Sequence, residues 1–192
     1  MKNEVRLIGG DWKRSKLPVA DLPGLRPTPD RVRETLFNWL GQDLAGWRVL
    51  DAFAGSGALG FEAASRGAAE VVLLEREPKL VASLNASRQR LKAEALRVER
   101  ADALAWMARA APASFDLVLI DPPFDSGLLP RALQVAMPLV RDGGFLYVES
   151  GQPLAEAAPG WTLHRVSRAG AVHFHLLRHG YTAAEEPRST AP

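Results

Sequence analysis

Two short segments of this 192-residue chain contain residues whose types and spacing suit chemistry. The first begins at Asp51 and contains the pattern G-x-G-x-x-G at Gly55, Gly57 and Gly60. Such glycines permit a tight turn after a strand and let the backbone approach a ligand closely, while the start of the following helix favours an anion. The pattern alone fits a dinucleotide as well as other adenosine-containing cofactors.

Acidic residues around this loop favour a ligand without phosphate. Asp51 precedes Gly55 by four positions, where a carboxylate repels a pyrophosphate and attracts an ammonium group. Glu75 suits a ribose hydroxyl, and Asp102 suits an adenine amino group or caps the next helix. S-adenosylmethionine is therefore the predicted cofactor, with a loop-capping role for Asp51 as the alternative. The predicted cofactor-binding residues are Asp51, Phe53, Gly55, Gly57, Gly60, Glu75, Arg76, Asp102, Ala103 and Asp121.

The second segment is Asp121-Pro122-Pro123-Phe124, which follows an apolar strand pattern. The two prolines have no N–H group and keep the preceding residues extended, so the Asp121 carboxylate and the Pro122 carbonyl are acceptors without local donors. Two such acceptors can bind the hydrogens of an exocyclic base amine during methyl transfer, and Phe124 can stack on the base. Asp121, Pro122 and Phe124 are the predicted catalytic residues; the alternative is a proline-rich turn that merely ends a strand.

The elements around these segments predict an α/β fold. Apolar strand patterns alternate with helical ones, which indicates a mostly parallel sheet with helices on both faces. We expect a Rossmann-like sheet of seven strands with an antiparallel hairpin at its C-terminal edge. The predicted strands cover 47–53, 70–74, 96–100, 115–120, 144–149, 161–167 and 171–177, and the predicted helices 28–40, 59–66, 78–95, 103–111 and 128–140.

The N-terminal segment is predicted to be a basic β-hairpin extension over residues 1–27, ahead of a catalytic domain at 28–181 and a frayed tail at 182–192. Residues 1–33 carry eight basic and four acidic side chains, an excess larger than the net charge of +2 for the whole chain. This imbalance favours a docked polyanion, with a solvated basic arm as the alternative. The predicted RNA-contacting residues are Arg6, Lys13, Arg14, Lys16, Arg26, Thr28, Arg31, Arg33 and Pro123.

Composition narrows the class of protein. The chain has no cysteine, which excludes disulfides. Its 47% hydrophobic and 24% charged residues are typical of a globular domain. We expect a cytoplasmic monomer without a signal peptide or membrane span. No metal is expected: His173 and His175 alternate along a predicted strand, which favours one face of a sheet over a metal site.

The two motifs together resemble the amino-methyltransferases, which have a glycine loop near the start and an [N/D]-P-P-[F/Y/W] motif after the fourth strand. Residues 6–17 (RLIGGDWKRSKL) and 26–40 (RPTPDRVRETLFNWL) are further similar to the RsmD family. That resemblance implies methylation of the N2 atom of guanine 966 in 16S rRNA, within an assembled or nearly assembled small ribosomal subunit.

Three other functions remain open at this point. The catalytic motif also suits an adenine-N6 methyltransferase acting on DNA or RNA. The glycine loop also suits an oxidoreductase that uses a dinucleotide. A non-catalytic RNA-binding protein with the same fold is the third alternative.

Overall fold

The computed structural model describes residues 4–20, 27–123, 126–154 and 156–180. These ranges contain nine strands and five α-helices, with a 3-10 helix at Met137–Leu139; strands and helices alternate from α1 to β7. The strands are β1 (Glu4–Arg6), β2 (Lys16–Pro18), β3 (Arg48–Asp51), β4 (Glu70–Glu75), β5 (Leu96–Arg100), β6 (Phe115–Ile120), β7 (Val140–Ser150), β8 (Trp161–Ala169) and β9 (Val172–His179). The helices are α1 (Asp30–Leu40), α2 (Ala58–Ser65), α3 (Pro78–Arg90), α4 (Ala103–Met107) and α5 (Leu129–Ala136).

Seven of the strands form one sheet in the order β5-β4-β3-β6-β7-β9-β8. The first five of these strands pair in parallel, and β9 pairs antiparallel with both β7 and β8. This topology confirms the predicted fold class, including the C-terminal edge hairpin. The strand order reverses between β3 and β6, so the loops after these two strands flank the crevice where doubly wound folds bind ligands.

Apolar side chains cover both faces of the sheet. Leu50, Val72 and Val118 pack on the face covered by α4 and α5. Val49 and Leu73 pack on the opposite face, against residues of α1 and α2. Because both faces are buried, the central strands are apolar without alternation, which is the pattern that the sequence showed.

Several element ends differ from the sequence prediction. Helix α1 begins at Asp30 and not at residue 28, because Pro29 is the N-cap residue and its carbonyl accepts the first helical N–H groups. Helix α3 ends at Arg90, not at residue 95, because Lys92 adopts a left-handed conformation with φ of 50°. Strand β7 is longer than predicted, since residues from Val140 onward already pair with β6.

The predicted N-terminal hairpin is present as a separate two-stranded sheet formed by β1 and β2. It packs on the C-terminal half of α2, where the Glu62 carboxylate accepts the backbone N–H groups of Ile8 and Gly9 at 2.9 and 2.7 Å. The boundary predicted between residues 27 and 28 stays a prediction, and the tail predicted at 182–192 lies outside the described residues. Within the described ranges, no helix is long and apolar enough to cross a membrane.

Candidate active site

Four neighbouring strands each end in a carboxylate at the same edge of the sheet. Asp51 ends β3, Glu75 ends β4, Asp121 follows β6, and Glu149 is the penultimate residue of β7. Because these strands are parallel and adjacent, their carboxyl ends meet at the crevice between β3 and β6. The structure therefore brings Asp51, Glu75 and Asp121 together as predicted, and it adds Glu149.

Two of these carboxylates hold the glycine loop. Asp51 Oδ2 accepts the N–H of Gly60 at 3.0 Å, and Glu75 Oε2 accepts the N–H of Gly55 at 3.0 Å. Gly57 is the N-cap of α2 in a left-handed conformation, and a Cβ there would lie 2.6 Å from Leu84. The loop is therefore fixed at both ends, and it directs the N-terminus of α2 toward the crevice.

Asp51 is almost completely buried, with 2% of its surface exposed. Burial raises its pKa from 3.8 to about 7, and the charges of Glu75 and Glu149 add to this, while the N–H groups of Gly60 and Phe53 oppose it. A buried carboxyl group with a raised pKa is stabilised in its ionised form by a cationic partner. Such a partner replaces the favourable interaction with water that burial removes.

Asp121 and Glu149 form a second group of carboxyls at this edge. The Thr28 side chain lies near both and lowers the pKa of each, and Tyr147 Oη donates to Glu149 Oε1 at 2.8 Å. Burial, followed by the charges of Glu149 and Asp51, raises the pKa of Asp121 well above its usual value. Burial also raises the pKa of Glu149, and both burial and the Glu149 charge raise the pKa of Tyr147.

The other predicted site residues lie around this crevice. Pro122 is buried and Pro123 is exposed, while Phe124 lies outside the described residues. Asp102 Oδ1 caps α4 by accepting the N–H of Ala105 at 2.9 Å, which leaves its second oxygen available. Phe53 is half-buried beside the glycine loop, Arg76 is exposed after β4, and Ala103 is buried in the first turn of α4.

The basic residues of the N-terminal segment line a groove on one face of the protein. Arg6, Lys13 and Arg14, together with Asp30 and Glu34, surround a cavity of about 280 Å³ between the hairpin and α1. All three basic side chains are exposed, as is that of Arg31 on the first turn of α1. Lys16 is exposed and forms an ion pair with Glu4 at 2.7 Å, and Arg26 lies outside the described residues.

The prediction that Arg33 contacts RNA is wrong. Its side chain is fully buried and forms ion pairs with Glu62 at 3.3 Å and with Asp30. It also donates to the carbonyl oxygens of Thr28 and Arg6 at 3.2 and 2.9 Å. Arg33 therefore connects the hairpin to α1 and α2. Thr28, also predicted as an RNA contact, is buried near the Asp121 carboxyl group.

One residue of the histidine pair, His175, makes structural contacts. His175 is buried, and its Nε2 accepts the N–H of Leu154 at 3.2 Å while its Nδ1 lies 3.4 Å from the carbonyl of Val148. Burial lowers the pKa of His175, which favours the neutral ring. The described part of the chain contains no cluster of three or more metal-ligating side chains.

Sequence reasoning missed Glu149 and the position of Thr28. Glu149 lay inside a predicted strand as its last residue, and a charged side chain at the end of an apolar run was the available signal. Thr28 was predicted only as the start of the first helix and as an RNA contact. Its path into the crevice depends on how the chain enters α1, which no local pattern in the sequence specifies.

The strand order and the acidic strand ends define a Rossmann-like fold of the class I methyltransferase type. The Geobacter metallireducens precorrin-6Y C5,15-methyltransferase has this fold, with a TM-score of 0.63 at 14% identity over 84% of this chain and 94% of that one. The chain belongs to the family described as conserved hypothetical protein 95, whose model matches residues 5–178, and this confirms the resemblance to the RsmD family.

Relatives of known name agree with this membership. The chain is 44% identical to ribosomal RNA small subunit methyltransferase D of Escherichia coli, over 91% of this chain and 90% of that protein. The identity to the protein of that name in Haemophilus influenzae is 38%, over 92% and 95%. Among solved structures, the Escherichia coli protein yhhF superposes with a TM-score of 0.81 at 38% identity, covering 92% of this chain and 98% of that one.

Proposed function

We propose that this protein transfers a methyl group from S-adenosylmethionine to the exocyclic N2 atom of a guanine in 16S rRNA. By analogy with the RsmD family, the expected target is guanine 966 in an assembled or nearly assembled small ribosomal subunit. The observation that carries the proposal is that Asp121 and Pro122 follow β6, the strand paired with β3, which ends at Asp51 and leads into the glycine loop. The names of its relatives support an rRNA substrate, and action on bacterial ribosomal RNA would place the protein in the cytoplasm.

The donor set around the glycine loop fits S-adenosylmethionine. The buried Asp51 carboxylate suits its ammonium group, and the N-terminus of α2 suits its carboxylate. Glu75 suits the ribose hydroxyls, and the free oxygen of Asp102 suits the adenine amino group. When bound, the cofactor supplies a methyl group on a positively charged sulfur atom. A dinucleotide fits worse, because its pyrophosphate would face Asp51.

Asp121 and Pro122 are placed to bind and orient the target amine. The Asp121 carboxyl group and the Pro122 carbonyl accept one hydrogen each, which directs the nitrogen lone pair toward the methyl group. Positive charge develops on this nitrogen as the new bond forms. Acceptors fixed at that point stabilise the transition state more than the ground state, so they increase the rate of methyl transfer.

The decisive experiment replaces Asp121 and measures methyl transfer to small ribosomal subunits from a strain that lacks the modification. We expect Asp121→Ala to lower kcat by about 10²–10³-fold, the usual cost of removing one transition-state acceptor or donor. Calorimetry should show that S-adenosylmethionine still binds, since the glycine loop is intact. Glu94→Ala, which removes an exposed carboxylate before β5 at the opposite edge of the sheet, is the matched control and should be fully active.

Mass spectrometry of the product nucleosides identifies the substrate atom. The proposal requires N2-methylguanosine in the subunits treated with the unmodified protein. Appearance of N6-methyladenosine, or no product at all, would contradict it. Full activity of Asp121→Ala would contradict the assigned role of that residue while leaving the substrate assignment standing.

A further inference from the structure

The groove between the hairpin and α1 combines cations, carboxylates and apolar side chains. Its cavity of about 280 Å³ is lined by Arg6, Leu7, Ile8, Lys13, Arg14, Asp30 and Glu34. This volume is just below the range of about 300–1,000 Å³ found for small-molecule sites, so it suits a ligand of the size of one nucleotide. The cations suit a phosphate group, but the two carboxylates repel one and therefore need another explanation.

Both walls of the groove are fixed by the same buried residues. Arg33 forms an ion pair with Asp30 on the α1 side, and it donates to the carbonyl oxygen of Arg6 on the hairpin side at 2.9 Å. Glu62 accepts the backbone N–H of Ile8 at 2.9 Å. The groove is therefore formed before a ligand arrives, which lowers the entropic cost of binding.

The carboxylate of Glu34 is available to a ligand. Asp30 is paired with Arg33, whereas the ion pairs and hydrogen bonds of the described residues include none made by the Glu34 side chain. Glu34 is exposed and lies four positions after Asp30, which places the two side chains on the same face of α1. Both carboxylate oxygens of Glu34 can accept hydrogen bonds from a group that enters the groove.

Arg14 has a backbone conformation that would suit glycine better. Its φ is 72°, a left-handed value that is unfavourable for residues with a Cβ atom. The loop fixes this conformation, because the N–H of Arg14 donates to the carbonyl of Leu7 at 2.9 Å. Its side chain is exposed and lines the groove. An arginine kept in such a conformation points to a use for its side chain, and a guanidinium group binds phosphate oxygens well.

Guanine is the base that fits this lining best. Among the four RNA bases, only guanine has two adjacent N–H donors on its Watson–Crick edge, at N1 and N2, and these match the two oxygens of one carboxylate. Adenine, cytosine and uracil each place an acceptor beside the donor, and a carboxylate repels that acceptor. Ile8 is half-buried and gives an apolar contact for the face of an unstacked base.

We propose that the groove between the hairpin and α1 binds a second guanine nucleotide of the substrate RNA, with its base on Glu34 and its phosphate on Lys13 and Arg14. This nucleotide is distinct from the methylated one, which enters the crevice at the carboxyl ends of the strands. The inference rests on the proposed function, since it identifies a further part of the same RNA substrate.

The first test is an NMR titration of the full-length, ¹⁵N-labelled protein with guanosine monophosphate, uridine monophosphate and inorganic phosphate. The amide signals of residues 6–15 and 30–34 should shift, and guanosine monophosphate should bind about tenfold more tightly than uridine monophosphate, as for one bidentate contact to a base. Glu34→Gln should remove most of this preference. Glu94→Gln, the same change at an exposed position before β5, should keep it.

The second test compares Arg14→Gly with Lys92→Gly. Lys92 follows α3, is exposed, and also has a left-handed φ, of 50°. Each change removes one positive charge and places glycine where the backbone favours it, so neither should lower the midpoint of chemical denaturation. Only Arg14→Gly should weaken the binding of guanosine monophosphate and of small ribosomal subunits, by about tenfold for one lost contact to a phosphate.

Three results would overturn the inference. These are equal affinities of the groove for the two mononucleotides, signal shifts confined to the crevice, or equal weakening by Arg14→Gly and Lys92→Gly. If the unmodified protein makes no N2-methylguanosine, the proposed function has failed instead. The NMR titration does not depend on methyl transfer and still decides whether the groove binds guanine.

Discussion

At the scale of single residues, Asp51 couples protonation to ligand binding. Its carboxyl group has a pKa of about 7 in the free protein, and a bound ammonium group would favour the ionised form. We therefore expect the affinity for S-adenosylmethionine to rise about tenfold between about pH 6 and pH 8, since binding releases a proton below the pKa. Isothermal titration calorimetry in buffers of different ionisation enthalpy measures both the affinity and the released proton.

Asp51→Asn supplies the control for this prediction. The amide still accepts the N–H of Gly60, but it carries no charge, so the affinity should be lower and independent of pH in this range. The same pKa shift affects stability. Because the folded carboxyl binds a proton between its unfolded pKa of 3.8 and about 7, the unmodified protein loses stability as the pH rises through that window. A pH-dependent affinity that persists in Asp51→Asn would contradict the assignment.

Residue types and spacing identified Asp51 and Asp121, because each lies next to glycines or prolines that restrict the local backbone. The sequence did not reveal that Arg33 is buried or that Glu149 joins the site. Both depend on how distant segments come together: Arg33 bonds to Glu62, which is 29 positions away in the chain, and the register of β6 and β7 brings Glu149 level with Asp121. Such contacts leave no periodic pattern.

At the scale of elements, the N-terminal hairpin is held to α2 by close backbone contact. A Cβ atom on Gly10 would lie 1.7 Å from the carbonyl oxygen of Ser65, and Ser65 Oγ accepts the N–H of Trp12 at 2.9 Å. We expect Gly10→Ala to lower the free energy of unfolding by about 2–4 kcal/mol, because a left-handed alanine costs about 1 kcal/mol and overpacking about 1–3 kcal/mol more. Chemical denaturation measures this change.

Gly46→Ala separates the conformational cost of a left-handed alanine from the cost of overpacking. Gly46 also has a positive φ, 81°, but a Cβ atom there meets nothing within 4 Å. This variant should lose only the conformational part, about 1 kcal/mol. If Gly10→Ala and Gly46→Ala lowered the free energy of unfolding equally, the hairpin would tolerate displacement from α2. Limited proteolysis within residues 4–20 should then distinguish a displaced hairpin from a destabilised core.

The order of elements was predictable because strand and helix periods differ and because apolar runs mark strands buried on both faces. The lengths of α3 and β7 were not. Helix α3 stops at Arg90 because Lys92 takes a left-handed conformation without glycine, and β7 begins early because Val140 pairs with Phe115. Element ends are thus determined by single backbone conformations and by pairing partners, which the periodic pattern does not record.

At the scale of the whole molecule, several exposed basic side chains lie on the face where the hairpin meets α1, next to the acidic Asp30 and Glu34. The protein carries a net charge of only +2, yet Arg6, Lys13, Arg14 and Arg31 are all exposed on that side. Acidic strand ends occupy the adjacent crevice. Under the proposed function, we expect the RNA backbone to contact the rim formed by the hairpin and α1, and the reacting base alone to enter the acidic crevice, as for a nucleotide withdrawn from its surroundings.

This division of charge predicts a measurable salt dependence. Each phosphate contact to single-stranded RNA contributes about −0.7 to the slope of log K against log salt concentration. Replacing Lys13 and Arg14 together by glutamine should make the slope shallower by about 1.4 and weaken binding to small ribosomal subunits without changing the affinity for S-adenosylmethionine. The control variant combines Arg109→Gln, just after α4, with Arg165→Gln on the edge strand β8. It removes the same charge from other parts of the surface, so the slope should stay nearly unchanged. Equal effects of the two pairs would mean that total charge governs docking, and the groove beside α1 would lose its assignment as the RNA contact.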